Sequence, residues 1–73
     1  MHYLDLSGLN CPMPVLKTKK YLSELISGDT VTITTTDPDS VRDLQVFCDK
    51  TKNIFMSQQV NDDSKIITII KKR

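Results

Sequence analysis

Apolar and polar residues recur with two different periods along this chain, and the switches between them mark six elements. Tyr3-Leu4-Asp5-Leu6 alternates, with Leu4 and Leu6 on one face and Tyr3 and Asp5 on the other, which predicts a short strand ended by Ser7-Gly8. From Pro12 to Ser27 the period lengthens. Val15, Leu22, Leu25 and Ile26 fall at helical spacing, Thr18 fills one gap, and Lys17, Lys20 and Glu24 share another face. Gly28 is read as the stop of this helix. Thr30 to Thr36 returns to period two, β-branched almost throughout, with Val31 and Ile33 alternating against Thr32 and Thr34, and predicts a strand. Asp37-Pro38-Asp39-Ser40 opens a second helix, with Asp37 as cap, Pro38 at the first helical position and Asp39 at the positive dipole end. Val41, Leu44, Phe47 and Cys48 make its apolar stripe, and Lys50, Lys52 and Asn53 suit its end. Ile54 to Val60 is a weaker strand, and Asn61-Asp62-Asp63-Ser64 is a turn. Lys65 to Lys71 is a strand apolar on both faces near its middle.

The order is therefore βαβαββ. Each helix carries one apolar stripe, so the simplest arrangement is a two-layer α+β sandwich: a four-stranded mixed sheet with both helices packed on one face. The length fits a single domain over residues 1–73. A chain this short buries only about 60% of its unfolded surface, so its core is thin.

Composition narrows the function classes. With 38% hydrophobic and 26% charged residues the chain reads as globular rather than disordered. A net charge of +1 favours no polyanion partner, and no run of exposed aromatics is available for base stacking, so direct nucleic-acid binding is not expected. No stretch approaches the ~18 apolar residues of a membrane span. The start, Met1 to Asp5, lacks the basic and apolar regions of a signal peptide. Two cysteines are too few for a disulfide scaffold. A reducing cytoplasm is the expected compartment, and it leaves Cys11 free to react.

The chemistry concentrates in Gly8-Leu9-Asn10-Cys11-Pro12-Met13-Pro14. Read with Cys11 as helix cap, Pro12 is the first helical position and Pro14 the third. Neither proline then removes a hydrogen bond, because the first four N–H groups of a helix lack intrahelical partners. Pro12 also holds Cys11 in an extended conformation. The amides of Met13 and Val15, with Lys17, Lys19 and Lys20 within two turns, then favour thiolate, so the expected Cys11 pKa lies below the usual ~8.5. The competing reading is a small hydrophobe packed at a helix start. Other thiol chemistries fit less well. Cys-x-x-Cys is absent, which removes the dithiol redox motif. A zinc site wants about four ligands, and only Cys11, Cys48 and His2 are available besides carboxylates. A cysteine protease needs a histidine base, and His2 lies at a terminus expected to fray. No metal and no cofactor are expected. A solitary thiol suits carrying a group between proteins better than transforming a substrate alone.

Cys48, on the apolar stripe, reads as a buried core thiol, with a resolving partner for Cys11 as the sharper alternative. Lys17, Lys19 and Lys20 read evenly as a solvated helix face or as a landing surface for an acidic partner. Arg42 and Asp43 read as a solvated pair or as a docking contact. Lys71-Lys72-Arg73 reads as a frayed tail.

The stretches LDLSGLNCPMPVLKTKKYL, SGDTVTITTTDPDSVRDLQVFC and IIKKR resemble the TusA/SirA-like sulfur-carrier family over essentially the whole chain. Cys-Pro-x-Pro is preceded by Asp-x-x-Gly-Leu-x and followed at matching distances by Gly-Asp, Asp-Pro and Phe-Cys. The resemblance implies the same βαβαββ sandwich. It also implies that Cys11 accepts sulfane sulfur as a persulfide, that Gly8 and Leu9 form the signature turn, and that Pro12 and Pro14 shape its presentation. Asp37 and Pro38 match the family's second helix start, and Asp43, Phe47 and Cys48 its middle. The implied donor is a cysteine desulfurase, which holds its own pyridoxal phosphate, and the implied acceptor is a further relay protein leading to tRNA 2-thiouridine. Molybdenum-cofactor assembly, thiosulfate use and sulfur oxidation are alternative branches, and a non-catalytic regulatory module on this fold is another alternative. Such a carrier is expected to be a monomer without small-molecule turnover of its own. One departure stands out: Lys52-Asn53 occupies the place of a frequent Gly-His pair, where Asn53 suits a left-handed cap.

Overall fold

In a computed structural model, which describes residues 2–73, the chain follows the order β1 (His2–Leu6), α1 (Met13–Ser23), β2 (Thr30–Thr35), α2 (Ser40–Thr51), β3 (Ile54–Val60) and β4 (Ile66–Lys71). Met1, the first residue of the start segment, lies outside the described residues. The strands form one sheet in the order β1-β2-β4-β3. β1 pairs parallel with β2, and the other two pairings are antiparallel. The expected mixed sheet and two-layer sandwich are what the chain builds.

The alternation in the sequence decides which face each strand buries. Val31, Ile33 and Thr35 on β2 lie opposite Ile70, Thr68 and Ile66 on β4, and all six are buried. Leu6 extends this layer onto β1, and Leu22, Leu44, Phe47 and Cys48 from the helices close it. β4 runs between two strands, with one apolar face buried under the helices and the other only half-buried. Ile67 and Ile69 face the other side, against Thr34 and Thr32. Gln58 on β3 joins sheet to helix, donating to Thr68 Oγ1 at 3.0 Å and to the Val41 carbonyl at 3.3 Å. A register shift between Phe55 and Ser57 lets both face their β4 partners around Met56.

Several local expectations need correction. α1 ends at Ser23, so Ile26 lies outside it and is 73% exposed. Gly28, at φ +96°, serves the following turn instead of the helix end. There its amide donates to the Lys72 carbonyl at 2.9 Å. The left-handed residue after α2 is Lys52, φ +64°, and not Asn53. The C-terminal end is tied down. Lys72 donates its amide to the Asp29 carbonyl at 2.7 Å and its Nζ to the Leu22 carbonyl at 2.8 Å, at the open end of α1. Arg73 donates its amide to Asn53 Oδ1 at 3.1 Å. His2 does not fray either: it pairs with Val31 in the sheet and lies 3.6 Å from Asp29.

The buried face of α1 is Pro14, Thr18 and Leu22, one stripe at i, i+4 and i+8. Thr18 is fully buried, and its Oγ1 has no hydrogen-bond partner among the described residues. A buried hydroxyl without a partner costs about 1–3 kcal/mol of desolvation. Thr18→Val, which keeps the shape and removes the hydroxyl, is expected to raise stability by about 1 kcal/mol. That corresponds to a melting temperature roughly 4–8 °C higher in a domain of this size. A thermal melt showing no increase would mean that Thr18 is satisfied in solution.

Candidate functional site

β1 and β2 are parallel neighbours, so the segments that leave them emerge at the same edge of the sheet. The Ser7–Pro12 loop and the Thr36–Asp39 loop therefore lie side by side, and backbone donors of the first are held by side chains of the second. Gly8, at φ +83° where a side chain would be strained, donates its amide to Thr36 Oγ1 at 2.8 Å. Cys11 donates its amide to Asp37 Oδ2 at 2.6 Å. The other oxygen of Asp37 accepts the Asp39 amide at 3.1 Å. Leu9 anchors the loop from beneath: its amide bonds the Leu6 carbonyl at 3.2 Å, and its side chain packs on the core. Cys11 is left exposed at the tip, joined to Pro12 by a cis peptide bond.

Both helix starts lie further along the chain than the sequence suggests. α1 begins at Met13 with Pro12 as its cap residue, so Cys11 precedes the cap. α2 begins at Ser40 with Asp39 as its cap residue and no side-chain cap. Asp37 serves both sides: one carboxylate oxygen holds the Asp39 amide, as expected of a capping side chain, and the other clasps the cysteine loop. Ser40 is buried and shares a 2.6 Å hydrogen bond with Thr35 Oγ1.

The thiol's electrostatics run opposite to expectation. The Cys11 pKa is pushed up to about 11, first by a hydrogen bond to the Asp43 carboxylate, then by desolvation, and then by the charges of Asp43, Asp37 and Asp39. The reason is local. Pro12 and Pro14 have no N–H to offer, and the Met13 amide is spent on the Asn10 carbonyl at 2.9 Å. Few donors of α1 are left for the sulfur, while three carboxylates at the start of α2 face it. These carboxylates thus favour the thiol over the thiolate.

A groove of about 490 Å³ runs from Cys11 between the two helices. Val15, Leu16, Val46 and Phe47 supply its apolar lining, and Lys19, Arg42, Asp43 and Lys50 its charges. Leu16 and Val46 are 52% and 41% exposed, large for aliphatic side chains. Of the residues singled out from sequence, the structure gathers Cys11, Pro12, Lys19, Arg42 and Asp43 here. Lys17 and Lys20 are exposed elsewhere on α1, and Pro14 is buried beneath it. Cys48 is 2% exposed, and both thiols are free. Sequence reasoning missed the contact of Asp43 with the thiol and that of Asp37 with its amide. The available signal was the predicted βαβ unit, whose parallel strands require the two loops to meet.

A family model described as "Sulfurtransferase TusA" matches residues 2–72. The chain is 42% identical over 69 residues to the sulfur carrier protein TusA of Allochromatium vinosum, covering 94% of this chain and 90% of that one. It is 36% identical over 69 residues to the sulfur carrier protein TusA of Pseudomonas entomophila, covering 94% and 86%. The crystal structure of a SirA-like protein from Desulfitobacterium hafniense superposes with a TM-score of 0.86 at 29% identity, covering 97% of this chain and 96% of that chain.

Burial pushes the Cys48 thiol up to about 11 from its ordinary 9.0. A group whose folded pKa exceeds its unfolded value contributes stability that is complete below the unfolded pKa and is lost as pH rises through the folded one. Folding stability is therefore expected to decline between about pH 9 and pH 11, and Cys48→Ala should remove part of that decline. Urea unfolding of both proteins across this range measures the difference. Identical pH dependence in the two would show that Cys48 does not titrate as a buried thiol.

Proposed function

Because the chain belongs to the TusA family, we propose that it is a sulfur carrier whose Cys11 accepts sulfane sulfur as a persulfide and passes it to an acceptor protein. The observation that carries this reading is the placement of the two thiols: Cys11 is exposed at the tip of a loop clasped at its backbone, and Cys48 is enclosed in the core. Gly8 and Leu9 turn and anchor that loop, while Pro12 and Pro14 set where α1 begins. In loading, the Cys11 sulfur attacks the terminal sulfur of a donor persulfide. A new S–S bond forms, the donor's own S–S bond breaks, and the donor sulfur leaves as a thiolate that takes up a proton. Passing the sulfur on repeats the exchange with Cys11 as leaving group, without net oxidation or reduction.

The fitting donor is a cysteine desulfurase, the acceptor a relay protein, and tRNA 2-thiouridine the destination the family resemblance favours. The protein would work as a monomer in the cytoplasm. Among the described residues no helix is long and apolar enough to cross a membrane. The interhelical groove is the docking surface, with Leu16 and Val46 as apolar contacts and Lys19, Arg42 and Asp43 as charged ones. A relay must release its partners, which suits a small, partly polar contact area.

Incubation with a cysteine desulfurase and cysteine is expected to add one sulfur mass, removable by reductant and mapped to Cys11. Cys11→Ser should lose the adduct and stay folded, and Cys48→Ser should keep it. No adduct from any sulfane-sulfur donor would overturn the carrier reading and favour a binding module, in which Cys11→Ala retains partner binding. Lys19→Glu is expected to slow loading by the desulfurase a few-fold at low salt, because a rim charge acts mainly on association rate. An unchanged rate would remove Lys19 from the docking surface.

A further inference from the structure

We propose that Asp43 is a positioning residue that keeps Cys11 a protonated, dormant thiol in the free carrier, and that a cationic group on the docked sulfur donor releases it by pairing with this carboxylate. The proposal rests on the persulfide reading for its purpose, though not for its geometry.

Cys11, Asp39, Arg42 and Asp43 line a small cleft of about 270 Å³ at the mouth of the groove. The backbones that carry the thiol and the carboxylate are both held. Asp43 is half-buried in the first turn of α2, its amide bonded to the Asp39 carbonyl at 3.0 Å. Cys11 is held at its own amide by Asp37 at 2.6 Å. A carboxylate only accepts hydrogen bonds, so the shared proton belongs to the sulfur. The charged groups around the thiol are Asp37, Asp39 and Asp43 from the second loop and α2, Arg42 beside them, and Lys19 across the groove on α1. The balance of these charges raises the thiol, with the Asp43 hydrogen bond as the largest cause.

A carrier in this state resists electrophiles, because thiolate and not thiol is the nucleophile. Sulfur transfer needs the opposite. A lysine or arginine next to the donor's persulfide would pair with Asp43 and weaken its hold on the proton. The proton then leaves to solvent, and the Cys11 thiolate attacks the terminal persulfide sulfur. The donor's S–S bond breaks and its sulfur departs as thiolate. No oxidant or reductant is consumed. The start of α2 thus selects donors that bring positive charge to the rim, while Lys19 and Lys50 along the groove favour negative charge further from the sulfur.

The test is the pH profile of Cys11 alkylation by iodoacetamide, followed by peptide mass, in wild type, Asp43→Asn and Asp43→Glu. The wild-type midpoint is expected near 11. Asp43→Asn should lower it by about one unit or more, and Asp43→Glu should keep it raised. A one-unit fall gives tenfold more thiolate at pH 8. Lower intrinsic nucleophilicity takes back about threefold, so a net gain of about threefold in rate is expected. A cationic methanethiosulfonate should also outpace a neutral one on wild type by a larger ratio than on Asp43→Asn. Far-UV circular dichroism confirms that each variant is folded. Superposable profiles for wild type and Asp43→Asn would overturn the dormant-thiol role, and equal reagent ratios would overturn the cation-release role. Alkylation needs no sulfur donor, so these outcomes are separate from failure to form a persulfide.

Discussion

The carboxylate of Asp37 on the amide of Cys11 is the interaction on which the site depends. It spans 2.6 Å between residues 26 apart in sequence. A charge-assisted bond of this kind is roughly twice as strong as a neutral one. It joins the loop before α1 to the loop before α2, and Gly8 on Thr36 reinforces the join. Without it the cysteine loop would be anchored through Leu9, the Gly8 amide on Thr36 and its own turn. With it, the sulfur faces the first turn of α2, and the groove between the helices begins at the thiol.

The clasp also explains why the thiol's chemistry departs from that of a cysteine at a helix start. Such a cysteine is activated by free amides. Here the prolines on either side of Met13 lack N–H groups, and the clasp brings carboxylates instead. The two effects act in the same direction, and with desolvation the Asp43 carboxylate and its acidic neighbours push the surface thiol up to about 11, the level to which burial alone pushes the core thiol. An exposed thiol whose acidic neighbours disfavour the thiolate is accessible to a docking protein without being reactive toward every solute.

The layout of elements was legible because it rests on local periodicity: two-residue alternation in β2, single apolar stripes on α1 and α2, and a β4 apolar on both faces. The exposed turn that carries Cys11 was legible from its glycine and its prolines. Features set by chain segments meeting in space were not. The acidic environment of Cys11 comes from residues 26 to 32 positions away, and no local spacing rule connects them. Lys72 and Arg73 read as a loose tail because their partners, Leu22, Asp29 and Asn53, are distant in sequence. Helix starts shifted because cap residues were assigned from their side chains alone, whereas Asp37 divides its carboxylate between the Asp39 amide at the approach to α2 and the cysteine loop.

Amide hydrogen exchange at Cys11, compared between wild type and Asp37→Ala, tests the clasp most directly. The Cys11 amide should be protected in wild type and exchange at least tenfold faster in the variant, because a charge-assisted bond of about 1.5–3 kcal/mol is lost. Core amides such as those of Ile33 and Ile70 should remain protected in both. Rapid exchange at Cys11 in wild type, or equal protection in the two proteins, would contradict the account.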